Sequence, residues 1–445
     1  MAQNLSLSLP EHQLTYQPYG HTLHHTQCFS PDDQWLVFDT RNDDTQILST
    51  GSIRVVNVQT GEVRELYQVP NQTDYGPGVG AATFSPKSNQ VIFIHGIRNA
   101  SQNQPYSFTR RTGVSVWVDK PQEPIFMDAR HILPPFTPGA LRGGTHAHSW
   151  SGDGAWISFT YNDYILEQLS KTDPSKQDLR TVGVMMPGKK VLVPDDETLE
   201  NHSGEMFSVV VTQVQENPTP GSDEIDKAFD ETWIGRHGYQ KPDGTRQQRA
   251  IAFQGSVRDE SGELKTEIFV VDLPADITQA NPGKPLEGTL TTRPNVPAGV
   301  SQRRITFTKK GVREPRHWLR TTPDGCNIGF LAPDVKGLTQ IFRVSPIGGK
   351  IKQVTFNSFP VQGQFNFSPK QPLVAYAADN SIYITHLESG TSTRLTEPRP
   401  EAEKPIGAPV WSNNGKLLAY NRYVGDGAER FLQIFLLDLP GLSGI

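Results

Sequence analysis

Cysteine is nearly missing: Cys28 and Cys326 are the only two in 445 residues. They stand far apart without metal-type spacing, which excludes a disulfide scaffold and leaves two free thiols as the expectation. No run of about 18 apolar residues occurs. The start, MAQNLSLSLPEHQLTY, lacks a basic segment followed by an apolar one. Neither a membrane span nor a signal peptide is therefore expected, and the expected location is cytoplasmic. An excess of one charge is also absent. Lys and Arg number 42 against 47 Asp and Glu, a formal net charge of -5, and they are scattered along the chain. That balance argues against nucleic acid or a membrane surface as the main partner. Stretches with the apolar period of a helix are almost lacking. So are a Walker loop, HExxH, GxSxG and a dinucleotide fingerprint in their required contexts. GPGVG at 76–80 has the glycines but no following helix, and reads as a loop.

What is abundant is glycine and proline, 39 and 35 residues, and with them a repeated turn. The copies are CFSPDDQWLVF at 28–38, TFSPKSNQVIF at 83–93, SWSGDGAWISF at 149–159, RTTPDGCNIGF at 320–330, NFSPKQPLVAY at 366–376 and VWSNNGKLLAY at 410–420. Each enters an apolar run through Ser or Thr, then Pro, Gly or Asn, then a polar residue, the chemistry of a tight turn between two strands. A third strand such as GSIRVVNV or SIYITHL follows, and then a fourth such as EVRELYQ or STRLTE. Four strands per unit make a propeller blade, so an all-β propeller is expected.

The turn residues 30, 85, 151, 322, 368 and 412 leave one long gap in the middle. MFSVVVTQV, RAIAFQGSV, EIFVVDL and RRITFT, within 205–308, read as one more blade with an insertion at 217–247 in its first hairpin. That makes seven blades in a single domain over 1–445, with six or eight left open by this middle unit. The last unit shows only three strands, whereas QLTYQ at 13–17 looks like a strand without a blade. Pairing the two closes the ring and removes an exposed edge. Two helices are expected: one from Ser222 as N-cap to Trp233, one over DYILEQLS at 163–170.

The repeats resemble TolB-type, WD40-like propeller repeats. Over essentially the full chain, FIHG, LRGGTHAH, FTYND, PGSDEI, PRHW and QRRITFT are similar to an uncharacterised bacterial propeller family. That resemblance implies a fold and no activity. Among enzymes the architecture is distantly similar to oligogalacturonate lyase, a seven-bladed propeller with a divalent metal held by histidines and a glutamine.

The first strand of a blade lines the channel, so its register tells which side chains converge. Counting back five residues from each turn gives His25, Gly80, His146, His317, Gly363 and Gly407. Three histidines at one height, with glycines between leaving space, suggest a metal centre. Alternation adds Gln27 and His148, and places Gln362 and Gln364 at the entry of blade six. The expected metal ligands are His25, His146, His317 and Gln362, for Mn, Zn or Fe. His148, Arg142 and Arg316 are the expected catalytic groups, the arginines clamping a carboxylate or phosphate. His24, one place out of register, is expected to face away. The function expected is a metal-dependent lyase or hydrolase acting on a small acidic sugar or oligosaccharide at the channel mouth. The competing reading is a non-catalytic propeller that holds a protein or ligand, its imidazoles packed between blades.

Overall fold

The repeated turn is built the same way in three of the six copies that carry its signature. In the computed structural model, which describes residues 4–43, 45–194, 197–312 and 316–439, Ser30 donates to Asp32 at 2.6 Å, Ser151 to Asp153 at 2.5 Å and Thr322 to Asp324 at 2.5 Å. Each carboxylate also accepts the amide two residues on, from Gln34, Ala155 and Cys326. The aspartates are thus consumed by their own turns.

Each turn joins the inner two strands of a blade. Blade one has Trp35–Asp39, Ser52–Asn57 and Val63–Gln68, its inner strand reduced to single bridges of Thr22 with Asp39 and Phe29 with Leu36. Blade two runs Val79–Phe84, Gln90–Gly96, Arg111–Trp117 and Lys120–Phe126. Blade three runs Gly143–Trp150, Ile157–Asp163, Thr181–Met186 and Phe207–Val210. Blade four is Ala228–Trp233, Ala250–Arg258, Leu264–Asp272 and Ser301–Arg304. Blade five begins with the two-residue strand Arg320–Thr321. Blade six begins with Val361–Phe367 and blade seven with Pro405–Trp411. The protein is a seven-bladed all-β propeller.

Seven apolar cores, one in each interface between neighbouring blades, hold the ring. The N-terminal segment closes it. Glu11–Gln13 pairs antiparallel with Phe431–Asp438 as the outer strand of blade seven, and the Leu14 amide donates to Ile434. The segment before it, Asn4–Ser6, adds a parallel fifth strand to blade six. Leu14 is buried in the core between blades seven and one. Leu14→Ala should therefore cost about 2–5 kcal/mol of stability, the usual cavity penalty, measured by urea unfolding.

The middle of the chain is arranged differently from the expectation. MFSVV supplies the outer strand of blade three, paired with Thr181–Met186. The inner strand of blade four comes from within 217–247, where a helix was expected. Its acidic residues mimic a helix start, but Phe229 and Thr232 pair with Gln254 and Ala252 across a bulge. Cross-strand burial outweighs local propensity there. The other helix forms at Tyr164–Ser170, capped by the Asp163 carboxylate on the Leu166 amide. Cys28 is buried and Cys326 exposed, both free. Among the described residues no helix is long and apolar enough to cross a membrane.

Candidate active site

At one end of the ring axis lies a cavity of about 440 Å³, lined from six of the blades. Interruptions of the inner strands bring Ala81 and Ala147 to its wall. The ladder skips Ala81 and Ala82 in blade two, Ala147 and His148 in blade three, and Asp230 and Glu231 in blade four. Ala81, Ala147 and Asp230 take the left-handed conformation, with φ of 56°, 56° and 53°. These bulges re-aim the strand beside a functional site. Gly407, also left-handed, lines the cavity, and a Cβ there would meet nothing within 4 Å, so glycine keeps that wall open.

Four arginines line the cavity, Arg41, Arg111, Arg180 and Arg316, with no carboxylate among the described lining residues. Two of the four are answered from behind. Arg41 grips Asp39 with two bonds at 2.6 and 2.9 Å, and Arg316 grips Asp230 at 3.0 and 2.7 Å. The other two form no ion pair among the described residues. Arg111 donates to the Tyr106 hydroxyl, but its Nε and Nη2 are buried without a hydrogen-bond partner. Arg180 and Arg111 both pack on the Phe108 ring, their guanidiniums 5.5 and 4.8 Å from the ring centre. Burial, then Arg316 and Arg111, push the Arg180 pKa below its ordinary value. Mutually repelling cations without an ion-pair partner in a cleft call for an anion.

Three imidazoles stand among these cations: His24, His25 and His146. Burial first, and after it neighbouring charge, from arginines for His24 and His146 and from His24 and then Arg320 for His25, hold all three well below the ordinary histidine pKa, so all are neutral at pH 7. For His24 the strongest charge is Arg41, for His146 Arg111. His25 stacks on Trp318 at 4.3 Å and lies 3.7 Å from the His24 ring. Its Nδ1 accepts from Arg320 at 2.8 Å, which puts its proton on Nε2, a buried donor with no partner. His146 has a buried, unpartnered Nδ1.

The expected metal centre does not assemble. His25 and His146 reach the cavity, but His317 turns away. Its Nε2 accepts the Leu331 amide at 3.0 Å, and its neighbours Arg316 and Trp318 line the wall instead. A slip of one residue exchanges the faces of a strand. The same irregularity brings in His24, contrary to expectation, because blade one has only isolated bridges there. Gln362 bonds the Asn380 side chain at 2.9 Å, away from the cavity, whereas Gln364 lines it. Arg142 is buried against Asp163 and the carbonyls of Thr289 and Thr292, tying a loop to blade three. His148 is fully buried behind the wall. Its Nε2 lies 3.0 Å from Thr145 Oγ1, which donates to Asp128. Among the described residues no group of three or more His, Cys, Asp and Glu comes together to hold a metal. The donors present are neutral imidazoles ringed by guanidiniums, a setting that repels a divalent cation.

A family model described as "Protein of unknown function (DUF3748)" matches residues 78–201, the span that includes Arg111 and His146. Among solved structures, an oligogalacturonate lyase in complex with manganese matches at TM-score 0.51 and 12% identity, covering 99% of each chain. A putative TolB from Agrobacterium tumefaciens matches at TM-score 0.41 and 14% identity, over 88% of this chain and 98% of its own. At 12% identity the likeness to the lyase is one of fold. The "Uncharacterized protein YidR" of Escherichia coli (strain K12) is 39% identical over 415 residues, 92% of this chain and 94% of its own. With that identity sustained over nearly the whole length, the chain belongs to the same family as the Escherichia coli protein.

Proposed function

We propose that the axial cavity binds a small acid of the sugar-acid class and eliminates across the bond next to its carboxylate. The observation that carries this reading is the pair Arg111 and Arg180, cations without a carboxylate partner among the described residues, facing neutral imidazoles in one cavity. Guanidiniums hold the carboxylate and stabilise the charge that spreads onto it when the adjacent carbon loses its proton. A neutral imidazole is the base: His24 and His146 each keep a buried nitrogen without a hydrogen-bond partner, and His146, whose strongest neighbouring charge is Arg111, is the one assigned that role. The electron pair released forms a carbon–carbon double bond, and the carbon–oxygen bond at the next carbon breaks. The leaving oxygen takes its proton from an N–H donor, for which His25 Nε2 is placed. No water or redox partner enters the balance.

The likeness of fold to a manganese-containing oligogalacturonate lyase supports the substrate class. The donor set here does not match a divalent metal, and the arginines supply the positive charge. Purified protein incubated with oligogalacturonate should generate an ultraviolet-absorbing unsaturated product, at a rate unchanged by chelator or by added manganese. Loss of all turnover on chelation would restore the metal-dependent reading. Binding of galacturonate without any product would leave a ligand-holding propeller, the second reading that the same cavity accommodates.

A further inference from the structure

The ring contains its own example of carboxylate recognition. Between blades one and two, Asp39 is held by Arg41 on two bonds and by the Ala81 amide at 2.8 Å. Ala81 stands four residues before the turn residue Ser85, in the left-handed bulge. Blade three repeats this at Ala147, four before Ser151, with the same residue type, the same φ of 56° and the same skip in the ladder. The acid partner is not repeated. Asp39 lies nine residues after Ser30, and the equivalent residue of blade two, nine after Ser85, is Ile94. The turn amides confirm the equivalence, Ser30 bonding Trp35 and Ser85 bonding Gln90 in the same way. Ile94 and Ala147 line the cavity with Arg111, which is buried and carries two nitrogens without partners.

We infer that the cleft between blades two and three is the carboxylate subsite of this cavity. A ligand carboxylate there lies between Arg111 and the Ala147 amide, filling the place that Asp39 fills one blade earlier. The inference rests on the acid-binding reading above and locates its anchor. It also says why Ile94 is apolar: an acid at 94 would satisfy Arg111 from within and close the subsite.

Two measurements decide it. The first needs no ligand: Ile94→Asp is compared with Ile94→Asn by thermal unfolding. A buried aspartate normally fares worse than asparagine, but one received by Arg111 should melt at or above the asparagine variant. That advantage should vanish when Arg111→Gln is added. An Ile94→Asp protein melting well below Ile94→Asn overturns the inference. The second is calorimetric titration with galacturonate and its neutral methyl ester. Wild type should bind the acid and not the ester, and Arg111→Gln and Ile94→Asp should each weaken the acid about tenfold or more. Unchanged acid binding in Arg111→Gln overturns the subsite while keeping the acid-binding cavity. Should wild type bind no acid, the proposed substrate class fails, and the unfolding comparison still decides whether Arg111 receives a carboxylate.

Discussion

Replacing His146 by glutamine should leave galacturonate affinity within a few fold and lower the turnover of oligogalacturonate by about 10²–10⁴-fold, the usual worth of a positioned base. Glutamine keeps the size and hydrogen-bonding of the ring edge but cannot take a proton, so the loss should fall on kcat and spare KM. The pH profile separates chemistry from packing. His146 has its pKa held well below 6.5, first by burial and then by Arg111, Arg180, His148 and Arg316. It is in the base form throughout the neutral range. The acid limb of kcat/KM should therefore lie below pH 6.5, with a plateau above it. A bound carboxylate offsets part of the arginine charge and raises the imidazole pKa, so acid binding should strengthen as pH falls toward that limb. An equal loss of affinity and turnover in the glutamine variant would mean that His146 only shapes the wall.

The register that drew attention to His146 was legible because blade three keeps its turn, its ladder and its bulge in the order that the repeat dictates. The ring and its closure were legible for the same reason. Ser30, Ser151 and Thr322 each spend a hydroxyl and a nearby aspartate on one turn, and local chemistry of that kind shows in the sequence. Blade five broke the count. Its inner strand is only Arg320–Thr321, so nothing holds His317 in the alternation of the other blades, and Trp318 takes the inward place. Blade four hid its inner strand because no Ser or Thr opens its turn. Ile234 stands there instead, its amide bonding Ala250 as the others bond their partners. The arginines were less legible still. Arg41 lies two residues past a second strand, Arg111 opens a third strand, and Arg180 lies just before a third strand. Sequence shows which residues precede a turn, whereas the meeting of strand ends from different blades is a property of the closed ring.

Glu231→Gln should raise stability by an amount that depends on pH. It follows Asp230 in the blade-four bulge, is 3% exposed and accepts one bond, from Thr160 at 2.8 Å. Its other oxygen is buried with no hydrogen-bond partner among the described residues. Burial raises its pKa from 4.5 to about 7. Below pH 4.5 the carboxyl is protonated whether the chain is folded or not, and it contributes no pH dependence. As pH rises from 4.5 to 7 the unfolded chain releases this proton while the folded chain retains it, so stability falls; above 7 the penalty levels off at roughly 3 kcal/mol. Glu231→Gln is neutral throughout and escapes that penalty. The variant should unfold at higher urea than wild type at pH 8 and at the same urea at pH 4.5, the two curves diverging between. Parallel curves across that range would mean that Glu231 is ionised in the fold.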